Sequence, residues 1–114
     1  MASATLKTHN QTPRKVRLVT DLVKGKSVPD ALAVLQFLPK RAAEPIAKLI
    51  KSAAANASVN GGSISGKKGE KFDGLIIKDI TVDSAGMTKR FMPRAFGRAS
   101  AIRHRKSHVK VTLS

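Results

Sequence analysis

Apolar residues recur at three- and four-residue spacings through the first half of the chain and at two-residue spacings near its end, so the pattern predicts helices followed by strands. Residues 2–10 (ASATLKTHN) mix apolar and polar positions and read as a short edge strand. Thr12-Pro13 reads as an N-cap followed by proline at the first helical position, where a missing N–H is no loss. The helix runs to Lys24, with Val16, Val19 and Val23 on one face, Leu18 and Leu22 widening it, and Gly25 as its stop. The same proline logic starts a second, short helix at Ser27-Val28-Pro29-Asp30; Leu32, Leu35 and Phe37 or Leu38 supply its apolar side, and Pro39 closes it. A third helix is expected over about 40–60 from the stripe Ala43, Ile46, Ile50, Ala53 and Ala57, with Leu49 alongside. Pro45 sits too far inside for the first position, so this helix either begins near Glu44 or has a kinked first turn.

Residues 61–71 (GGSISGKKGEK) hold four of the eight glycines and read as a flexible loop. Beyond it, residues 75–83 (LIIKDITVD) are rich in β-branched side chains, and Val109, Val111 and Leu113 alternate with His108, Lys110 and Thr112; both segments read as strands. Between them, residues 84–106 carry few large hydrophobes (Phe91, Phe96 and Ile102) and so have little to bury. The simplest connection is one long antiparallel hairpin. With around 16 residues per arm at about 3.3 Å each it spans on the order of 50 Å, whereas a compact domain of this size has a radius of gyration of about 13 Å. The tip must project, and an isolated two-stranded ribbon is marginal in water.

Charge says what surrounds it. The 114 residues include 22 Lys and Arg against 7 Asp and Glu, a formal net charge of +15. All seven acids lie at or before Asp83, so residues 84–114 hold eight basic side chains and no acidic one. Omitting acids from such a segment points to an external polyanion as the source of countercharge. Leu, Ile, Val and Phe make up about a quarter of the chain, above the roughly 20% below which chains stay disordered, so one small domain with a core is expected. There is no cysteine, hence no disulfide, thiolate nucleophile or Cys-ligated metal, which is compatible with a reducing cytoplasm. The longest unbroken apolar run is five residues, from Ala31 to Leu35, far short of the roughly 20 of a membrane span, and the N-terminus lacks a signal peptide's apolar stretch. No membrane partner and no export are expected.

Motifs for catalysis or cofactors fail on chemistry. Gly61-x4-Gly66-Lys67 matches most of a phosphate-binding loop, but Lys68 stands where Ser or Thr would ligate magnesium and a helix precedes it. His104 and His108 would lie some 13 Å apart along a strand, too far for one ion. No carboxylate pair sits beside a His or Ser, so neither an enzyme nor a cofactor is expected. The informative segment is Lys89-Arg90-Phe91-Met92-Pro93-Arg94-Ala95-Phe96-Gly97-Arg98. Guanidinium groups pair bidentately with phosphate and stack on bases. Pro93 and Gly97 allow a bend or bulge, and two exposed Phe rings can lie against bases or ribose. Arg103, Arg105 and Lys106 continue the charge up the returning arm on alternating faces. Arg14, Lys15 and Arg17 crowd the start of the first helix, where the macrodipole disfavours cations, a placement that suits phosphate contacts; ordinary solvated charge is the bland alternative. A nucleic-acid-compacting protein with a basic arm fits the same pattern.

Three motifs in order resemble the L-twenty-two family of large ribosomal subunit proteins, bacterial type: Pro13-Arg14-Lys15-Val16-Arg17-Leu18-Val19 with Gly25-Lys26; Ala31-Leu32 and residues 37–40 before the alanine-rich helix ending at Asn56-Ala57; and Lys89-Arg90-x-Met92-Pro93-Arg94-Ala95-x-Gly97-Arg98-Ala99 with Ser107-His108. The resemblance implies an α+β fold, three helices packed on a small antiparallel sheet with a long protruding β-hairpin. Its single domain would divide into a body (about 1–83 and 107–114) and an arm (about 84–106). It implies a monomer within the ribosome that contacts several rRNA domains and neighbouring ribosomal proteins and supports early subunit assembly. By position, Lys89, Arg90, Phe91, Met92, Pro93 and Arg94 would form a tip lining the nascent-peptide exit tunnel. Arg14, Lys15, Arg17, Lys24, Lys26, Arg98, Arg103, Arg105 and Lys106, with Lys89, Arg90 and Arg94, would contact rRNA. Two features depart from the family pattern: the long glycine-rich loop at 61–71, and an end at Ser114 without a short tail.

Overall fold

The computed structural model describes residues 2–59 and 75–114. The glycine-rich loop at 61–71, with its partial phosphate-loop pattern, and the expected helix end at Asn60 lie outside the described residues. The elements run β1 (Ala2–His9), α1 (Pro13–Val23), α2 (Val28–Phe37), α3 (Ala43–Val59), β2 (Ile77–Pro93), a 3-10 turn (Ala95–Gly97) and β3 (Ala99–Leu113). The sheet order is β1-β3-β2, antiparallel throughout, with β3 central. Three helices pack on this sheet, and the fold class is α+β as expected.

Local chemistry sets the helix limits. Pro13 opens α1 with Thr12 as N-cap, although the Thr12 side chain makes no capping bond; its carbonyl accepts from Val16 N instead. Gly25 takes φ +80, and the link after it is stitched to the start of β2: Gly25 N donates to Ile77 O, Ile77 N to Lys26 O, and Val28 N to Leu75 O. At the N-cap of α2 the Ser27 hydroxyl donates to the Asp30 carboxylate at 2.7 Å. The proline problem in α3 resolves as a start at Ala43, with Ile46 N donating to Ala42 O. Pro45 thus falls in the first turn, whose N–H groups have no intrahelical partner, and no kink is needed.

One core joins the helices to one sheet face. Val16, Val19 and Val23 of α1, Val28, Ala31 and Leu35 of α2, and Ala43, Ile46, Leu49, Ile50 and Ala53 of α3 meet Ile77, Ile80 and Val82 of β2 and Val109, Val111 and Leu113 of β3. One expectation is corrected, and one alternative is decided. Leu18 and Leu22 do not widen the α1 face; they are 60% and 47% exposed. At 3.6 residues per turn Leu22 and Leu18 sit roughly 90° and 130° from the middle of the valine stripe, and Thr20 is buried beside that stripe instead. On α2, Leu38 packs on the core whereas Phe37 is 82% exposed. Ala57 is only half-buried.

No core residue comes from 84–106. Past Val82 and Val109 the two strands continue as a ribbon, paired from Met87↔Arg105 to Pro93↔Ala99. β2 is 17 residues long and β3 15. The molecule measures 67 × 27 × 20 Å with a radius of gyration of 17.5 Å, against about 13 Å for a compact chain of this length. The core is small enough that one cavity is felt throughout it. Ile50→Ala should lower unfolding free energy by about 2–5 kcal/mol, whereas Leu18→Ala should change it by less than about 0.5 kcal/mol; urea unfolding followed by circular dichroism measures both.

Candidate nucleic-acid interface

Every side chain of the finger is presented by pairing register. Residues directly opposite share a face, so Met87, Lys89 and Phe91 stand with Arg105, Arg103 and Ala101 on one side, and Thr88, Arg90 and Met92 with His104, Ile102 and Ser100 on the other. Arg103 and Arg105, two residues apart, therefore share a face and do not alternate; Lys106 follows at the break in register. Lys89 lies directly across from Arg103. Like charges set opposite in a ladder are destabilising, and no acid of this chain stands between residue 84 and the end to offset them. The Lys89 ammonium finds partial relief 5.6 Å from the Phe91 ring centroid.

The tip is a tight, strained turn. Arg94 N donates to Arg98 O, and Phe96 and Gly97 follow each other with φ +60 and +68. A non-glycine residue in the left-handed region costs about 1–2 kcal/mol, yet Phe96 gains no packing for it, being wholly exposed. Phe91 and Met92 are 66% and 42% exposed. The bend expected at Pro93 and Gly97 is this turn. The bulge falls elsewhere, between Ser84 and Met87, where Gly86 takes φ +86 and β2 carries one residue more than β3.

The structure divides the expected contact residues. Lys89, Arg90, Arg94, Arg98, Arg103 and Arg105 are exposed on the finger and Lys106 half-exposed at its base. Arg14 and Lys15 are exposed on the first turn of α1. Arg17 is committed in part, its Nη2 donating to Val82 O at 2.8 Å, which ties α1 to the strand where the finger begins. Lys24 pairs with Asp79 at 3.0 Å, and the lysine's hydrogen bond and charge hold the Asp79 carboxyl below its ordinary 3.8. Lys24 and the exposed Lys26 lie at the start of β2, about 33 Å of strand from Lys89, so they form no common patch with the finger. Sequence reasoning missed Arg41, which the fold brings beside Lys15, Arg103 and Arg105. No signal in the sequence marks it, because its neighbours are assembled only by tertiary packing. Among the described residues no group of three His, Asp or Glu could hold a metal; His108 Nδ1 accepts from Thr8 N at 3.0 Å.

Among the described residues, a small packed body carries a long cationic finger that holds no carboxylate, the make-up of a scaffold protein and not of a catalytic one. Comparison with known proteins makes the class specific. Residues 4–114 match the family described as ribosomal protein L22p/L17e. The chain is 48% identical over 113 residues to large ribosomal subunit protein uL22 of Pelobacter propionicus, covering 99% of this chain and 96% of that one. It is 46% identical, with the same coverage, to uL22 of Geobacter sulfurreducens, and 50% identical over 102 residues to uL22 of Desulfitobacterium hafniense, covering 90% and 83%. The chain belongs to the ribosomal protein L22p/L17e family, and it is a structural constituent of the ribosome and not an enzyme.

The depressed Asp79 carboxyl yields a pH prediction. A carboxylate held below its unfolded value adds stability that is present above about pH 3.8 and lost as pH falls through the lower folded value. Asp79→Asn should therefore make the acid limb of a stability–pH profile shallower below pH 4 and leave its shape near neutrality unchanged.

Proposed function

We propose that the chain is built into the large ribosomal subunit, in the cytoplasm, by docking its body on rRNA through Arg14, Lys15 and Arg17 and threading its finger between phosphates. Lys89, Arg90, Arg94, Arg98, Arg103, Arg105 and Lys106 provide the countercharge along the finger, and Lys24 and Lys26 meet RNA at the far end of the body. The chain enters as a monomer, touches several rRNA domains and neighbouring ribosomal proteins, and supports assembly of the subunit. Residues 89–94 at the tip line the exit tunnel and meet the nascent peptide. One observation carries the reading: the finger sets Lys89 against Arg103 with no acid to separate them. Phosphates supply the missing anions, and counterion release from them drives association. Burial in RNA also stabilises a ribbon that is marginal alone.

Changing Arg94 and Arg98 together to Glu replaces two positive charges with two negative ones in a phosphate-rich site. The variant should be depleted from large subunits in sucrose-gradient profiles of cell lysate; normal incorporation would remove the finger from the rRNA contacts. Deleting residues 89–91 should impair incorporation less than it changes the passage of nascent chains, measured as peptide-dependent stalling. Equal defects in both would place the tip in RNA packing and not in the tunnel.

A further inference from the structure

The finger leaves the body at a crook assembled from distant parts of the chain. Lys15 on α1, Arg41 on the link between α2 and α3, and Arg103, His104 and Arg105 on β3 line one open pocket of about 370 Å³, together with Gln11 of the β1–α1 link. No acid lines it, and among the described residues none of its four Lys and Arg side chains has an ion-pair partner. β1 gives out at His9, opposite Ser107, so the edge of β3 over residues 103–105 has no strand beside it there and brings unpaired backbone groups to the pocket rim. Four cations lining one concavity repel one another mildly in water, and an anion inside offsets that repulsion.

The crook is also where the sheet is least regular. β1 carries an extra residue between Leu6 and His9, with Thr8 at φ +59, and β2 an extra residue between Ser84 and Met87. Both breaks flank the same stretch of β3, next to Ser107, which is fully buried and bonded through Oγ to Gln11 O at 2.7 Å. Only β3 runs through the junction without an insertion, and bulges bend and twist the strands that carry them. An anion in the pocket would touch the body through Lys15 and Arg41 and the finger through Arg103 and Arg105, and so would brace this junction.

We infer that the crook seats one backbone phosphate of folded rRNA, at a turn of the strand that presents it outward, and that this phosphate fixes the angle at which the finger leaves the body. The inference rests on the rRNA-binding reading above. It makes Arg41 a partner of Arg103 on a single anion, which distinguishes it from cations scattered along a surface.

The test is binding of the full chain to a large-subunit rRNA transcript over a salt series, for Arg41→Gln, Arg103→Gln and the double variant. Each single change should weaken binding on the order of tenfold and lower the slope of log K against log salt by about 0.7–0.9. The double variant should lose clearly less than the product of the two, because both side chains hold one phosphate. Arg41→Lys should keep the slope, and Arg41→Gln combined with Lys51→Gln, on α3 outside the pocket, should multiply. Losses for Arg41 and Arg103 that multiply, with two separate decrements in slope, would overturn the shared site while leaving rRNA binding intact. Inorganic phosphate alone separates the free anion from the ester: an Arg41→Gln defect confined to inorganic phosphate, with RNA binding untouched, would also overturn it. A wild-type chain that binds small-subunit transcript or random duplex equally well would instead sink the reading on which the inference stands.

Discussion

Two positive charges placed directly across a strand pair, Lys89 against Arg103, are the constraint from which the rest of the molecule follows. In water such a pair is mildly unfavourable and tolerated; in a ribbon that holds no carboxylate and buries no core, it has nothing inside the finger to offset it. The anions must come from outside, and they must come as a chain, because the cations continue from Lys106 at the base to Arg94 and Arg98 at the turn. RNA meets that requirement with one phosphate per nucleotide and a shape into which a finger can be enclosed.

The body exists to hold that finger in place. Its core is a single valine- and isoleucine-rich layer between three helices and one sheet face, and it stops at Val82 and Val109. Just there Arg17 reaches from α1 to the Val82 carbonyl, and Ser107 is bolted to Gln11. These two polar ties hold the base of the finger to the body, β2 to α1 and β3 to the β1–α1 link. Beyond them the register breaks on both sides of β3, so the finger's direction is set by a short junction and not by a continuous sheet. A protein made this way has a stable anchor and an extension whose final geometry is completed by its surroundings.

Much of this was legible in the sequence. The spacing of Val16, Val19 and Val23, the prolines at 13, 29 and 39, and the alternation from His108 to Leu113 are local signals, and local hydrogen bonding and periodicity decide elements. The long hairpin followed from the shortage of large apolar residues over 84–106 and the lack of acids. What was not legible depends on angles or on tertiary contact. Leu18 and Leu22 lie near the valine stripe in sequence but far round the helix, and an outward leucine needs no partner for the helix to form. The bulges at Thr8 and Gly86 shift faces without any strong sequence mark beyond the glycine itself. The commitments of Arg17 to Val82 and of Lys24 to Asp79, and the approach of Arg41 to the finger, join residues 65, 55 and about 62 positions apart, which no spacing rule reaches.

The finger is either held closed from outside or closed by its own contacts. Amide hydrogen exchange of residues 87–92 and 99–105, compared with 109–113, measures this directly in the free chain at low ionic strength and again in assembled large subunits. The expected result is fast exchange of the finger beside a protected body strand in the free chain, and strong protection of both in the subunit. A finger as protected as residues 109–113 before any RNA is added would contradict it, because the ribbon would then be closed by its own contacts.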